Sequence, residues 1–93
     1  MTLRIYTTSQ YRRDYRLLKK RGYDMGRLDE VVLRLTQGER LPAMNYDHVL
    51  RGQWNGVREC HIAPDWVLIY RIDGENLMLI LMRTGTHEDA FKS

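Results

Sequence analysis

The chain has 93 residues, 43% of them hydrophobic and 29% charged, one cysteine and a formal net charge of +3; that is one domain with one small core and no second lobe. No apolar run approaches the roughly 18 residues of a membrane helix, and the first ten residues lack the apolar core and cleavage pattern of a secretory signal. Cys60 is alone and cannot form an internal disulfide, so a globular protein of the reducing cytoplasm is expected, with no membrane association.

The basic charge is uneven. Residues 1–27 carry eight Arg or Lys against two Asp, residues 28–93 carry seven against ten acidic residues, and twelve of the fifteen basic residues are arginine. The planar guanidinium suits phosphate, but taken alone the run reads as a solvated helix face. It speaks for nucleic acid only beside other evidence.

Residues 3–7 alternate, with Leu3 and Ile5 on one side, and predict a short strand. Ser9 stands where an N-cap would. Tyr11, Tyr15 and Leu18 follow at helical spacing with Leu17 widening the stripe, and Gly22 ends the helix. Asp24 is placed to cap a second helix whose stripe is Met25, Leu28, Val31, Val32 and Leu35, closed by Gly38. Pro42 marks a loop, and residues 48–50 form a brief extended piece. Gly52 and Gly56 bracket Trp54 in a turn-rich segment. Residues 57–63 read as a strand with Cys60 and Ile62 on one face and Glu59 and His61 on the other. Pro64-Asp65 is a turn, residues 66–72 the next strand, and residues 73–76 a hairpin turn. Residues 77–83 are nearly continuously apolar and predict the central, doubly covered strand. Thr86 opens a last short turn carrying His87 and Phe91. Strand, two helices and a three-strand meander give an α+β domain with the helices on one face of the sheet.

Two places collect titratable and aromatic side chains: residues 46–66 and Arg83-Thr84-Gly85-Thr86-His87. Imidazole is the natural acid or base near neutral pH, which singles out His48, His61 and His87. Asp65 can orient or charge-stabilise one of them, Arg83 can stabilise a developing anion, and Trp54, Trp66 and Phe91 offer flat surfaces for a base. These parts suit metal-free cleavage of RNA. A base takes the 2′-hydroxyl proton, an acid protonates the leaving 5′-oxygen, and a cation meets the charge between them. Each residue also has a plain structural reading, the tryptophans as packing above all. Three histidines and an aspartate could instead hold zinc, but no tight ligand pair such as HExxH or CxxC supports that reading. Residue types and spacing alone leave RNA cleavage one candidate among several.

The run Asp47-His48-x-Leu50-x-Gly52-x-Trp54-x-Gly56-x-Arg58-Glu59-x-His61-Ile62-x-Pro64-Asp65-Trp66, followed by Leu68-Ile69-Tyr70 and Arg83-Thr84-Gly85-Thr86-His87, resembles YafQ-type toxins of the RelE/ParE superfamily. Residues 11–22 fit that family's first helix more loosely. The resemblance implies a RelE-like fold and the toxin of a type II toxin–antitoxin pair, a ribosome-dependent mRNA interferase that cuts messages in the A site of the 70S ribosome without a cofactor. It places the functional residues on His48, His61, Asp65, Trp66, Arg83, His87 and Phe91. His87 is the implied principal acid; His48, His61 and Asp65 share base and charge-stabilising roles in an order left open. Arg83 is implied to bind the scissile phosphate, and Trp66 or Phe91 to support or stack on RNA. The implied partner is a small acidic antitoxin of DinJ or RelB type, through which alone the toxin would meet operator DNA. The non-enzymatic ParE branch, which acts on gyrase, is the alternative; its members lack this histidine-rich set.

Overall fold

The structure, a computed structural model, describes residues 2–51 and 56–91; Trp54 lies outside them. The elements are β1 (Arg4–Thr7), α1 (Ser9–Lys20), α2 (Met25–Thr36), a 3-10 turn (Ala43–Asn45), β2 (His48–Val49), β3 (Arg58–Ala63), β4 (Trp66–Asp73), β5 (Met78–Gly85) and α3 (His87–Ala90). The helices begin and end for local reasons. Thr8, one residue before the expected cap, accepts the Tyr11 N–H with its hydroxyl and starts α1; Asp24 accepts the Gly26 N–H and starts α2. Gly22 and Gly38 follow the helix ends with φ of +86° and +73°, a backbone that glycine adopts without the Cβ clash of other residues.

The five strands form one sheet in the order β1-β5-β4-β3-β2, with β1 parallel to β5 and the other pairs antiparallel. The expected meander is therefore β3-β4-β5, extended by β1 and β2 at the two edges. The middle strand is β4, not the 77–83 run. Trp66–Tyr70 are buried without a break, whereas β5 alternates, with Met78, Ile80 and Met82 only partly covered. A long apolar run marks an interior strand, but it does not say which interior strand has cover on both sides.

Alternation along the strands divides the core. On one face Cys60, Ile62, Trp66, Leu68, Tyr70, Leu79 and Leu81 pack with Tyr11, Leu18, Met25, Leu28, Val31, Val32 and Leu35 of α1 and α2. Leu17, expected to widen the α1 stripe, is exposed instead, and Asp14 is buried on that helix. On the opposite face a smaller cluster of Val57, Val67, Ile69 and Ala90 is joined by Leu50, Met82 and Phe91. Two helices thus share one face as expected, while α3 covers the other. Tyr70 and Arg58 find a polar partner at the edge of the core: the Tyr70 hydroxyl donates to Asp47, and Arg58 Nε donates to the same carboxylate at 3.2 Å. Burial, then the Asp47 carboxylate, pushes the Tyr70 phenol well above its ordinary value.

Candidate active site

The face bearing the smaller cluster also bears the histidines. On β3, Glu59 and His61 are two residues apart and so project to the same side, away from Cys60 and Ile62. The short β2 sets His48 directly across from Glu59. The turn from β5 into α3 brings in the third imidazole. Thr86 caps α3 by accepting the Asp89 N–H, and the Asp65 carboxylate, from the β3–β4 turn, accepts the His87 backbone N–H at 3.4 Å. Carboxylates are favourable at a helix start, where backbone N–H groups lack partners.

These three placements converge on one carboxylate. Glu59 Oε1 stands 3.3 Å from His48 Nε2 and 3.6 Å from His61 Nε2, and its Oε2 stands 3.4 Å from His87 Nε2. The glutamate is 3% exposed, and its Oε2 is buried with no hydrogen-bond partner among the described residues. The imidazoles are open to solvent, most at His87 and least at His61. A shielded carboxylate thus underlies three accessible rings. Burying a carboxylate is costly unless polar partners face it, and the three imidazoles are the groups placed against it.

The rings are not equivalent. Nδ1 of His48 is 2.7 Å from the Tyr46 carbonyl. A carbonyl only accepts, so that nitrogen carries the proton, and with Nε2 facing Glu59 both nitrogens of His48 are engaged. His61 and His87 turn Nε2 to Glu59 and have no protein partner at Nδ1 among the described residues. The His61 and Tyr46 rings pack T-shaped with centroids 5.8 Å apart, and the His87 ring leans on Phe91 at 4.7 Å, one helical turn away.

Arg83 is held by two acceptors. Its Nε donates to Asp14 Oδ2 at 2.9 Å and its NH2 to the Asp89 carbonyl at 3.1 Å, fixing the guanidinium between α1 and α3. The buried Asp14 also accepts the Thr84 N–H. Trp66, expected at the RNA surface, is 3% exposed. Its ring stands edge-on to Tyr23 with centroids 5.0 Å apart, and its Nε1–H donates to Thr84 Oγ1 at 3.0 Å. The indole lies within the core between helices and sheet, so its place is packing and not a stacking surface. Of the seven residues singled out by sequence, the structure brings His48, His61 and His87 onto one carboxylate, sets Asp65 and Phe91 around His87, holds Arg83 between Asp14 of α1 and Asp89 of α3, and leaves Trp66 in the helix-facing core.

Glu59 and Asp14 were not assigned a site role from sequence. For Glu59 a signal exists: an acid two residues from a histidine in a strand shares its face. Asp14 is the one acid within α1, but its pairing with a residue 69 positions away has no local signature. Among the described residues no three His, Cys, Asp or Glu side chains are grouped so as to hold a metal ion.

The chain has relatives of similar sequence and fold. The "mRNA interferase toxin YafQ" of Escherichia coli K12 is 40% identical over 85 residues, 90% of each chain. The crystal structure of the E. coli DinJ–YafQ toxin–antitoxin complex contains a chain 38% identical to this one, with a TM-score of 0.89 over 99% of this chain and 100% of that chain. A toxin from Helicobacter pylori, solved in a metal-bound form, is 36% identical with a TM-score of 0.90 over 96% of this chain and 99% of that one. The model of the family described as "Bacterial toxin of type II toxin-antitoxin system, YafQ" matches residues 3–92. With nearly the whole chain matched in sequence and in fold, the protein belongs to the YafQ family of type II toxin–antitoxin toxins.

Proposed function

We propose that this protein is an endoribonuclease, an mRNA interferase that cuts messages in the ribosomal A site and so stops translation. The observation that carries this reading is the convergence of His48, His61 and His87 on the buried Glu59 carboxylate. Nε2 of His61 faces the Glu59 carboxylate at 3.6 Å, and a proton held on that side leaves the Nδ1 lone pair as a general base for the 2′-hydroxyl. The oxygen then attacks phosphorus. The bond to the 5′-oxygen breaks, and the leaving oxygen takes its proton from Nδ1–H of His87, the general acid. The products are a 2′,3′-cyclic phosphate and a 5′-hydroxyl. His48, with both nitrogens engaged, braces Glu59. Asp65 holds the start of α3 and with it His87. Arg83, fixed by Asp14 and Asp89, supplies positive charge toward the phosphorane, and Phe91 offers a ring to the RNA beside His87. Trp66 supports the site from within the core. These proton transfers require no metal, and activity should survive a zinc-selective chelator.

The curated relative's name, mRNA interferase, supports the substrate, and the solved DinJ–YafQ complex supports a cognate antitoxin as partner. That antitoxin is expected to be small and acidic, to keep the toxin off the 70S ribosome and to provide any contact with operator DNA. The basic α1 fits either rRNA phosphates or the antitoxin, with an encounter that weakens in salt. Translating ribosomes are the reason to place the protein in the cytoplasm; no described helix is long and apolar enough to cross a membrane.

Mapping cleavage of one message with and without translating ribosomes tests the proposal. Cuts within A-site codons only on ribosomes support it, and equal cleavage of naked RNA removes the ribosome dependence. Inhibition of gyrase supercoiling with no RNA cleavage would favour the ParE-like alternative.

A further inference from the structure

A trough leaves the candidate site on its His61 side. It consists of a hollow of about 480 Å³, lined by Met44, Tyr46 and His61 among others, and an adjoining one of about 200 Å³ that shares Arg27 and Met44 and continues to Arg34. Neither His87 nor Phe91 lines it. Its floor is held in place. Asn45 Nδ2–H donates to the His61 carbonyl at 2.7 Å, and Arg27 donates to the Ile62 carbonyl at 3.0 Å.

Tyr46 is the unusual feature of this trough. It is 70% exposed, so the core does not use its ring. Its φ is +45°, in the left-handed region, where a bulky side chain is strained and glycine or asparagine sits more readily. The backbone there works through its own groups: the Tyr46 N–H reaches the Ala43 carbonyl, and its carbonyl takes the His48 ring N–H. Neither folding nor capping calls for an aromatic ring at this position. What the ring does is pack T-shaped with His61, centroids 5.8 Å apart, while most of its surface stays open to solvent.

We infer that this trough receives the nucleotide on the 5′ side of the cut, with its base stacked on Tyr46 beside Met44 and the preceding phosphate drawn to Arg27. The inference rests on the endoribonuclease reading, in which His61 takes the proton of the attacking 2′-hydroxyl. That hydroxyl belongs to the 5′ nucleotide, so its base must lie next to His61, and the trough is a hollow that His61 lines and His87 does not. A base needs a flat apolar surface, and an exposed aromatic ring supplies one without strict sequence preference. Arg27 serves one carbonyl with one of five N–H donors, which leaves it able to bind phosphate. Arg34 adds positive charge farther along, tempered by its 3.6 Å pair with Glu30. On this account Tyr46 is a substrate-positioning residue whose contribution is stacking.

The test uses the full-length protein on whichever message the wild type cuts, and on a synthetic copy with an abasic site 5′ of the mapped cut. Tyr46→Asn is expected to fold with equal or higher thermal stability and to lose about tenfold or more in kcat/KM. Tyr46→Phe stays within about twofold of wild type. The abasic message slows the wild type by a factor like that of the substitution and does not slow Tyr46→Asn further, because both remove the same stack. Wild-type rates in Tyr46→Asn, or no effect of the abasic site on the wild type, would overturn the inference. So would equal slowing of wild type and variant by the abasic site, which would show that Tyr46 acts on His61 alone. Absence of any cleavage of the intact message by the wild type is a different failure: it removes the ribonuclease reading, and this inference with it.

Discussion

Oε2 of Glu59, buried and with no hydrogen-bond partner among the described residues, lies 3.4 Å from Nε2 of His87. A charge in that position orders the imidazoles around it. Glu59→Gln keeps the shape and removes the negative charge that faces the three imidazoles. Cleavage is expected to fall by about a hundredfold, the scale of one acid–base contribution, with the circular dichroism spectrum kept. Near-wild-type cleavage by Glu59→Gln would deny the carboxylate its role.

The Asp14–Arg83 pair predicts a loss of stability. Asp14 accepts from Arg83 Nε at 2.9 Å and from the Thr84 N–H at 3.2 Å. Asp14→Ala leaves both donors short of a partner, and urea unfolding should report a loss of about 2–3 kcal/mol. Cleavage should fall as well, since the guanidinium loses the contact that fixes it. A variant of unchanged stability would show the pair to be incidental.

Trp66 should behave as a core residue. Trp66→Phe keeps most of the apolar contact and loses the bond from Nε1–H to Thr84 Oγ1, a change of about 1 kcal/mol. The rate per folded molecule should stay within about twofold, whereas Phe91→Ala should slow cleavage severalfold or more. A Trp66→Phe protein of normal stability with a tenfold slower reaction would place the indole on the RNA instead.

Three buried acids predict a response to alkali. Burial pushes the Cys60 thiol and the Tyr11 and Tyr70 phenols above their ordinary values. The folded state therefore holds protons that the unfolded chain releases above about pH 8.5 for the thiol and about pH 10 for the phenols. Stability is complete below those values and declines as pH rises past them. The urea midpoint should be lower at pH 10.5 than at pH 7.5, and Cys60 should resist thiol reagents until denaturant is added. A freely reactive thiol in the native protein would contradict the fully buried position of Cys60.

Most of the fold was legible because its signals are local. Helical spacing gave the stripes of α1 and α2, alternation put Glu59 and His61 opposite Cys60 and Ile62, and Asp24 marked a helix start. What escaped depends on distant pairing. The parallel β1–β5 ladder joins residues more than seventy positions apart, and the middle place of β4 follows only once that ladder exists. The site divides in the same way. The three histidines are visible as residue types, but the buried Glu59 beneath them appears only when β2, β3 and α3 meet. Trp66 stood out in sequence beside Asp65, and only the packing of Tyr23 and Thr84 assigns its indole to the core.

The most direct test of the central claim is cleavage of a message with a single 2′-deoxynucleotide immediately 5′ of the mapped cut, compared with its all-ribose copy. Attack by the 2′-hydroxyl predicts that the all-ribose message yields a 2′,3′-cyclic phosphate end and that the deoxy message stays intact at that bond. Cleavage of the deoxy message at the same place and rate, or a 5′-phosphate on the downstream fragment, would contradict the account.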